Sequence, residues 1–269
     1  MNANHIETKF ATMGARFKLS VVPARRASDD FAVDLQHDRR GEFFELRVPE
    51  PLSESLDVNV LQTDKRDRHL LLFVRRTEGK AARFLCGHDE REWFVAAVPG
   101  GASSVLQAKE ALKPLAVRVR QNELEVPNRL RNRRRNAAFK RQGEWFFVPV
   151  SNWGRAPINE KFILRNEPLR RGAGKPHLVE ELFRFGGELV YVCPQHPNGV
   201  LEFHYQRLIR SNPNAASWGW RTQRRNPSVY VRGRVRHQDH ATIVLPDWHR
   251  VVMNTETETD SMRNVAFLD

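Results

Sequence analysis

Three of the chain's ten histidines stand in one stretch, RHQDHATIVLPDWHR (236–250). His237 and His240 are spaced H-x-x-H, with Asp239 between them. Imidazole changes charge near neutral pH and is the commonest ligand of zinc-class ions. Two such rings beside a carboxylate can share a metal, or divide the roles of general acid and base against a phosphodiester. His237, Asp239 and His240 are therefore the candidate catalytic residues, and the reaction they suit is that of a nuclease.

A second pair has the same spacing, Cys193-Pro-Gln-His196. Two turns that each give two ligands follow the logic of a zinc ribbon. Cys193, His196, His237 and His240 form the candidate metal set, with a divalent ion such as zinc or magnesium. The bland alternative is a buried thiol and hydrogen-bonded turn histidines. RRGAGKP (170–176) lacks the spacing of a phosphate loop, and Cys86-Gly-His88-Asp89 lacks a second ligand pair.

The strand before the histidines carries a different chemistry. Alternate side chains of a strand share a face. Val229, Val231, Gly233 and Val235 fall on one face, and Tyr230, Arg232, Arg234 and Arg236 on the other. The valines mark the core side, and His237 continues it. The arginines then recur every ~6.6–6.8 Å, a ladder suited to a phosphate backbone. His249 shares parity with Val251 and Met253, as a core histidine would. A two-residue turn at Gln238-Asp239 would set His237 opposite His240.

Basic and aromatic residues also cluster elsewhere. Arg129, Arg131, Arg133, Arg134, Arg135, Lys140 and Arg141 crowd one connector. Trp218-Gly219-Trp220 precedes Arg221, Arg224 and Arg225. A tryptophan in a polar loop can stack on a base, or fold back as the loop's anchor. The chain's net charge is +12. Residues 115–236 alone carry a net +15, residues 1–114 carry +1 and residues 237–269 carry −4. A field concentrated in one segment attracts polyanions. The expected function is nucleic-acid binding, with RNA or single strands favoured because of the aromatics. A nuclease and a structural subunit of a ribonucleoprotein, with protein partners, are the alternatives.

These residues need elements to hold them. RHLLLFVRR (68–76), AARFLCGHD (81–89) and EWFVAAVP (92–99) read as a β-meander, with further strands over 41–48, 56–63 and 143–150. Ser104 and Gln107 form a capping box for a helix with Val105, Ala108, Leu112 and Leu115 on one face, ended by Pro114. Gly186-Gly187 between two alternating runs predicts a hairpin. Residues 207–228 read as a long polar loop, and the TETETD run (255–260) as a solvated tail. Glu-Trp-Phe occurs at both 92–94 and 144–146, each time after an Ala-Ala pair, which raises a duplication. The fold class is β-rich α+β, built from antiparallel meanders and hairpins with few helices. Residues 1–125 form a β scaffold domain with one capped helix. Residues 126–269 form a basic β-rich nucleic-acid-binding region with an acidic C-terminal tail. No apolar run reaches the ~18 residues of a membrane span, and no signal-peptide core is present. With two cysteines, a cytoplasmic protein without disulfides or membrane attachment is expected.

Overall fold

Runs that alternate apolar with polar side chains become strands, and about half of the chain lies in sheets. The computed structural model describes residues 3–23, 30–77, 79, 81–150, 158–170, 175–256 and 267–268. The chain divides into two units, Met1–Arg133 with Asn254–Thr257, and Arg134–Met253 with Glu258–Asp269. Each has its own apolar core. Among the described residues no helix is long and apolar enough to cross a membrane. The phosphate-loop look-alike at 171–174 and most of the acidic tail lie outside the described residues.

In the first unit, helix α1 (Ala3–Ala11) precedes strands β1 (Phe17–Val22), β2 (Ala32–Asp38) and β3 (Gly41–Pro49). These three form a sheet of order β1-β3-β2. Strands β4 (Leu56–Asp64), β5 (His69–Arg76), β6 (Ala81–Asp89) and β7 (Glu92–Ala97) form the four-stranded antiparallel meander. Ile6 and Phe10 of α1 pack with Phe44, Leu46, Leu70 and Leu72. The continuous apolar run of β5 is buried on both faces, as such a run requires.

Helix α2 (Val105–Ala111) starts where expected, and the Ser104 side chain accepts a hydrogen bond from the Gln107 N–H. The return bond differs: Gln107 Oε1 accepts from Ser103, one residue earlier than the capping box predicts. Leu115 does not extend the apolar face. It opens helix α3 (Leu115–Glu123) after Pro114 and is exposed. Helix α4 (Asn128–Arg131) follows.

The second unit holds β8 (Lys140–Gln142), β9 (Trp145–Pro149), β10 (Leu164–Leu169), β11 (His177–Phe185), β12 (Glu188–Cys193) and β13 (His196–Val200). Helix α5 (Glu202–Ser211), β14 (Arg221–Arg225), β15 (Ser228–Arg236) and β16 (Ile243–Met253) complete its main elements. A large sheet has the order β10-β11-β15-β16-β9-β8, and a small one contains β13-β12-β14. Trp145 of β9 touches His177 of β11 although two strands lie between theirs in that order. The large sheet is therefore curled around its core of Val179, Leu182, Val231, Val235 and Leu245.

Two expectations fail here. Gly186-Gly187 is not a hairpin tip, because β11 and β12 do not pair with each other. β11 pairs with β15, and β12 pairs with β14. Phe185 faces Ser228 and Glu188 faces Arg225, so the two strands run on together as one long ribbon that bends between sheets. Gly186, Gly187 and Asn226 take positive φ at that bend. The 207–228 segment is likewise not a loop: it contains the end of α5, a 3-10 turn over Pro213–Ser217 and all of β14. The Glu-Trp-Phe echo marks in both places the start of a strand paired antiparallel with the one before it, β7 and β9, but the Ala-Ala pairs are not equivalent. Ala81 and Ala82 lie within β6, whereas Ala137 and Ala138 precede β8.

The bend gives a stability test. A Cβ on Gly187 would stand 2.8 Å from the Arg225 carbonyl oxygen at φ +84, whereas one on Gly186 meets nothing within 4 Å. Gly187→Ala is expected to cost roughly 2–3 kcal/mol and Gly186→Ala about 1 kcal/mol, measured by urea unfolding. Equal losses would show that the backbone approach at Gly187 is unimportant.

Candidate functional site

His177, which opens β11, is the residue that gathers the histidines. In the register of β11 and β15, Leu178 faces Arg236 and Val179 faces Val235. One step further sets His177 against His237, and opposed residues on paired strands lie close. Their rings stack with centroids 4.1 Å apart. His240 stacks on both, 4.7 Å from His237 and 5.7 Å from His177. Ligand nitrogens, one from each ring, all lie within 4.8 Å of one another.

His237 and His240 do not meet across a tight turn. Val235 pairs with Ile243, which leaves a wider loop between them. Two-residue hairpin turns need positive φ, and none of residues 237–242 adopts it. The parity of β15 holds at its two buried valines but is broken at Gly233, where a bulge with φ +87 turns the residue toward Glu180. Val231 and Val235 are buried and the His237 side chain is only 7% exposed.

His177 is 2% exposed, and neither of its ring nitrogens has a hydrogen-bond partner. Burial lowers its pKa to about 3, with further lowering from His237 and His240 against a small opposing effect of Asp239. The ring is thus neutral at pH 7, the form that binds metals. Buried polar atoms are almost always paired, so this ring is an exception. Two more buried atoms nearby share it: Gln142 Oε1 and Trp145 Nε1. Gln142 donates through Nε2 to the Ala241 carbonyl at 2.7 Å, and Trp145 meets His177 edge-on.

The β8–β9 turn closes over the cluster. A Cβ on Gly143 would stand 3.3 Å from His240 Nε2 and 3.4 Å from His177 Nε2. Asp239 lies to one side. Its backbone N–H donates to His237 Nδ1 at 3.2 Å, its Oδ2 lies 3.8 Å from the same nitrogen, and Lys175 binds that Oδ2 at 2.8 Å. Such a carboxylate can orient an imidazole without touching the ion.

Cys193 and His196 are not part of this group. They face each other across β12 and β13, in the small sheet. His177 starts β11, and β12 continues that ribbon beyond the bend, so the chain carries Cys193 away from the histidine loop. Cys193 is buried, and His196 stacks on Trp218 and Trp220. His249 is a core histidine, 3% exposed, with Nδ1 2.7 Å from the Asp247 carbonyl. Burial lowers its pKa.

The small sheet carries the aromatics. Tyr191 of β12 stacks on Tyr205 of α5, with centroids 4.1 Å apart and planes 4° from parallel. Tyr205 meets Trp220 edge-on. Trp220, Trp218 and His196 stack on one another at 5.6–6.1 Å. Trp220 also donates from Nε1 to the Ala215 carbonyl at 2.7 Å, which makes it an anchor. Arg207, Arg210, Arg221 and Arg224 are exposed on α5 and β14. Arg225 is paired with Glu188 at 2.9 Å.

No family model matches this chain, and no curated protein or solved structure does.

The other basic positions are placed differently from one another. Arg232 and Arg234 lie on the outer face of β15, but Glu181 holds Arg232 at 2.7 Å and Glu180 holds Arg234 at 3.2 Å. Arg236 donates to Asn166, and Arg232 also lies over the Trp248 ring. Tyr230 is registered against Phe183 and Arg250. The arginines do not form the regular ladder expected, because a bulge at Gly233 separates Arg232 from Arg234, and β11 supplies both with acids. Arg129, Arg131 and Arg133 belong to the first unit, where Arg131 donates to Asn122. Arg134, Arg135, Lys140 and Arg141 belong to the second, around the Arg135–Lys140 bridge. Burial lowers the Arg134 pKa to about 10, with Arg141 adding to it. Lys140 is lowered by burial and then by Arg135.

Proposed function

We propose that the second unit binds single-stranded nucleic acid, RNA by preference, across the face formed by β12, β13, β14 and α5. The observation that carries this reading is the preordered row of rings, Tyr191, Tyr205, Trp220, Trp218 and His196, on elements that also carry four exposed arginines, of which Arg224 shares the Tyr191 face of the small sheet. Single-strand binders join a basic track to aromatic platforms on which bases stack. Phe203 on α5, 71% exposed, adds an apolar surface that the fold leaves in solvent.

Trp218 tests it more cleanly than Trp220, whose indole N–H already holds the Ala215 turn. Trp218→Ala is expected to weaken binding of a labelled single-stranded RNA about 5- to 150-fold, in line with ~1–3 kcal/mol per stacked base. Thermal stability should change little. Trp220→Ala should lower both. Fluorescence anisotropy at low salt with RNA, DNA and duplex probes reads the outcome. The reading fails if the wild-type protein binds none of them, or if Trp218→Ala binds as tightly as wild type.

A further inference from the structure

We infer that His177, His237 and His240 bind one zinc-class divalent ion, whose fourth position is left to solvent or to a ligand. Three observations converge on this. The nitrogens of three imidazoles already lie within 4.8 Å of one another. Bonds of ~2.0–2.1 Å to a tetrahedral ion would bring them to about 3.3 Å apart, which requires the stacked rings to turn so that their in-plane nitrogens converge. His177 is buried between two strands with both ring nitrogens lacking a hydrogen bond. An ion gives that ring the partner it lacks. Finally, Gly143 takes φ +57 and presents only backbone to His177 and His240, so the β8–β9 turn can lie over the cluster without filling it.

The donor set selects the ion. Three nitrogens and no carboxylate suit zinc and its neighbours in the transition series, whereas magnesium and calcium require oxygen. The fourth position follows from the same group. Among the described residues no further Cys, His, Asp or Glu joins it. Three protein ligands and an open place are what zinc needs to hold a water and lower its pKa. Asp239 stands behind His237, with Lys175 on its carboxylate. An ion on His237 Nε2 would move the ring proton to Nδ1, which would then give up the Asp239 N–H it now accepts and turn to the Asp239 carboxylate 3.8 Å away. His237 and His240 come from one loop, but His177 comes from a strand 60 positions earlier, so the set exists only in the folded protein.

The test is the full chain purified without a metal-affinity tag, analysed for metals and then titrated with zinc after chelation. About one equivalent is expected. Cobalt in its place should show the intense visible absorption of a four-coordinate ion. His177→Asn and His240→Asn should each lower zinc affinity at least ~100-fold, Asp239→Asn by ~10- to 100-fold, and His204→Ala on exposed α5 not at all. His240 lies in a loop, so its variant keeps the test open if His177→Asn does not fold. Failure to bind zinc in the wild-type protein would overturn the inference. So would zinc binding that survives unchanged in His240→Asn with a folded protein.

Discussion

Alanine at Arg207, Arg210, Arg221 and Arg224 together is expected to flatten the salt dependence of single-strand binding by ~2.8 in log–log slope, at ~0.7 per phosphate contact. Between 50 and 200 mM salt that slope corresponds to about a 50-fold change in affinity that the variant would no longer show. These four arginines are exposed on the elements that carry the rings. The contrast is Arg232→Ala with Arg234→Ala. Those guanidinium groups are held by Glu181 and Glu180, so a phosphate would have to displace a carboxylate already in place. Their removal should change the slope by less than one contact's worth. An unchanged slope in the quadruple variant, or a larger change in the double one, would move the binding surface from the small sheet to β15.

The difference between those two sets of arginines was not legible in the sequence. Alternation from Val229 to Arg236 marks the side of β15 that is core at Val231 and Val235, but not the bulge that interrupts it at Gly233. What faces the arginines is decided by β11, whose Glu180 and Glu181 come from a strand some 50 residues earlier. The meander of β4 to β7 and the Ser104 cap depend on neighbours in sequence, and these were readable. Gly186-Gly187 was readable as a break but not as a bend. A hairpin and a ribbon passing between sheets both need positive φ there, and only the partners of β11 and β12 tell them apart. Helix α5 was hidden because Leu201 provides no side-chain cap and the Asn-Pro that follows suggests a loop.

The histidine cluster shows the same division. H-x-x-H drew attention to His237 and His240, and both belong to the group. The same spacing at Cys193 and His196 pointed to the wrong partner, because spacing says nothing about which turns meet. His177 has no motif around it. Its only sequence signal is parity with Val179 at the start of a strand, and its role comes from a register that places it opposite His237. A buried histidine without hydrogen bonds is also locally unfavourable. Such departures from good packing concentrate at functional sites, since stability alone would remove them.

That tension sets the last prediction. His177→Leu is expected to make the metal-free protein more stable than wild type by ~1–3 kcal/mol, the cost of burying an unpaired polar group. In melting temperature this is about 4 °C per kcal/mol for a unit of this size. Leucine has a similar volume and would join Leu169, Val179 and Val235, the core residues around that end of the large sheet. Adding zinc should reverse the order. A ligand that binds only the folded state stabilises it by RT ln(1 + [L]/Kd), ~4 kcal/mol at a thousandfold excess over Kd. Wild type gains this and the leucine variant does not. Paired melting curves with chelator and with zinc should therefore cross, with the variant higher in the first and wild type higher in the second. If the variant melts below wild type in chelator, His177 contributes to packing as an ordinary core residue. If zinc raises both proteins equally, the ion sits elsewhere. Only a crossing fits a ring kept in the core for what it binds.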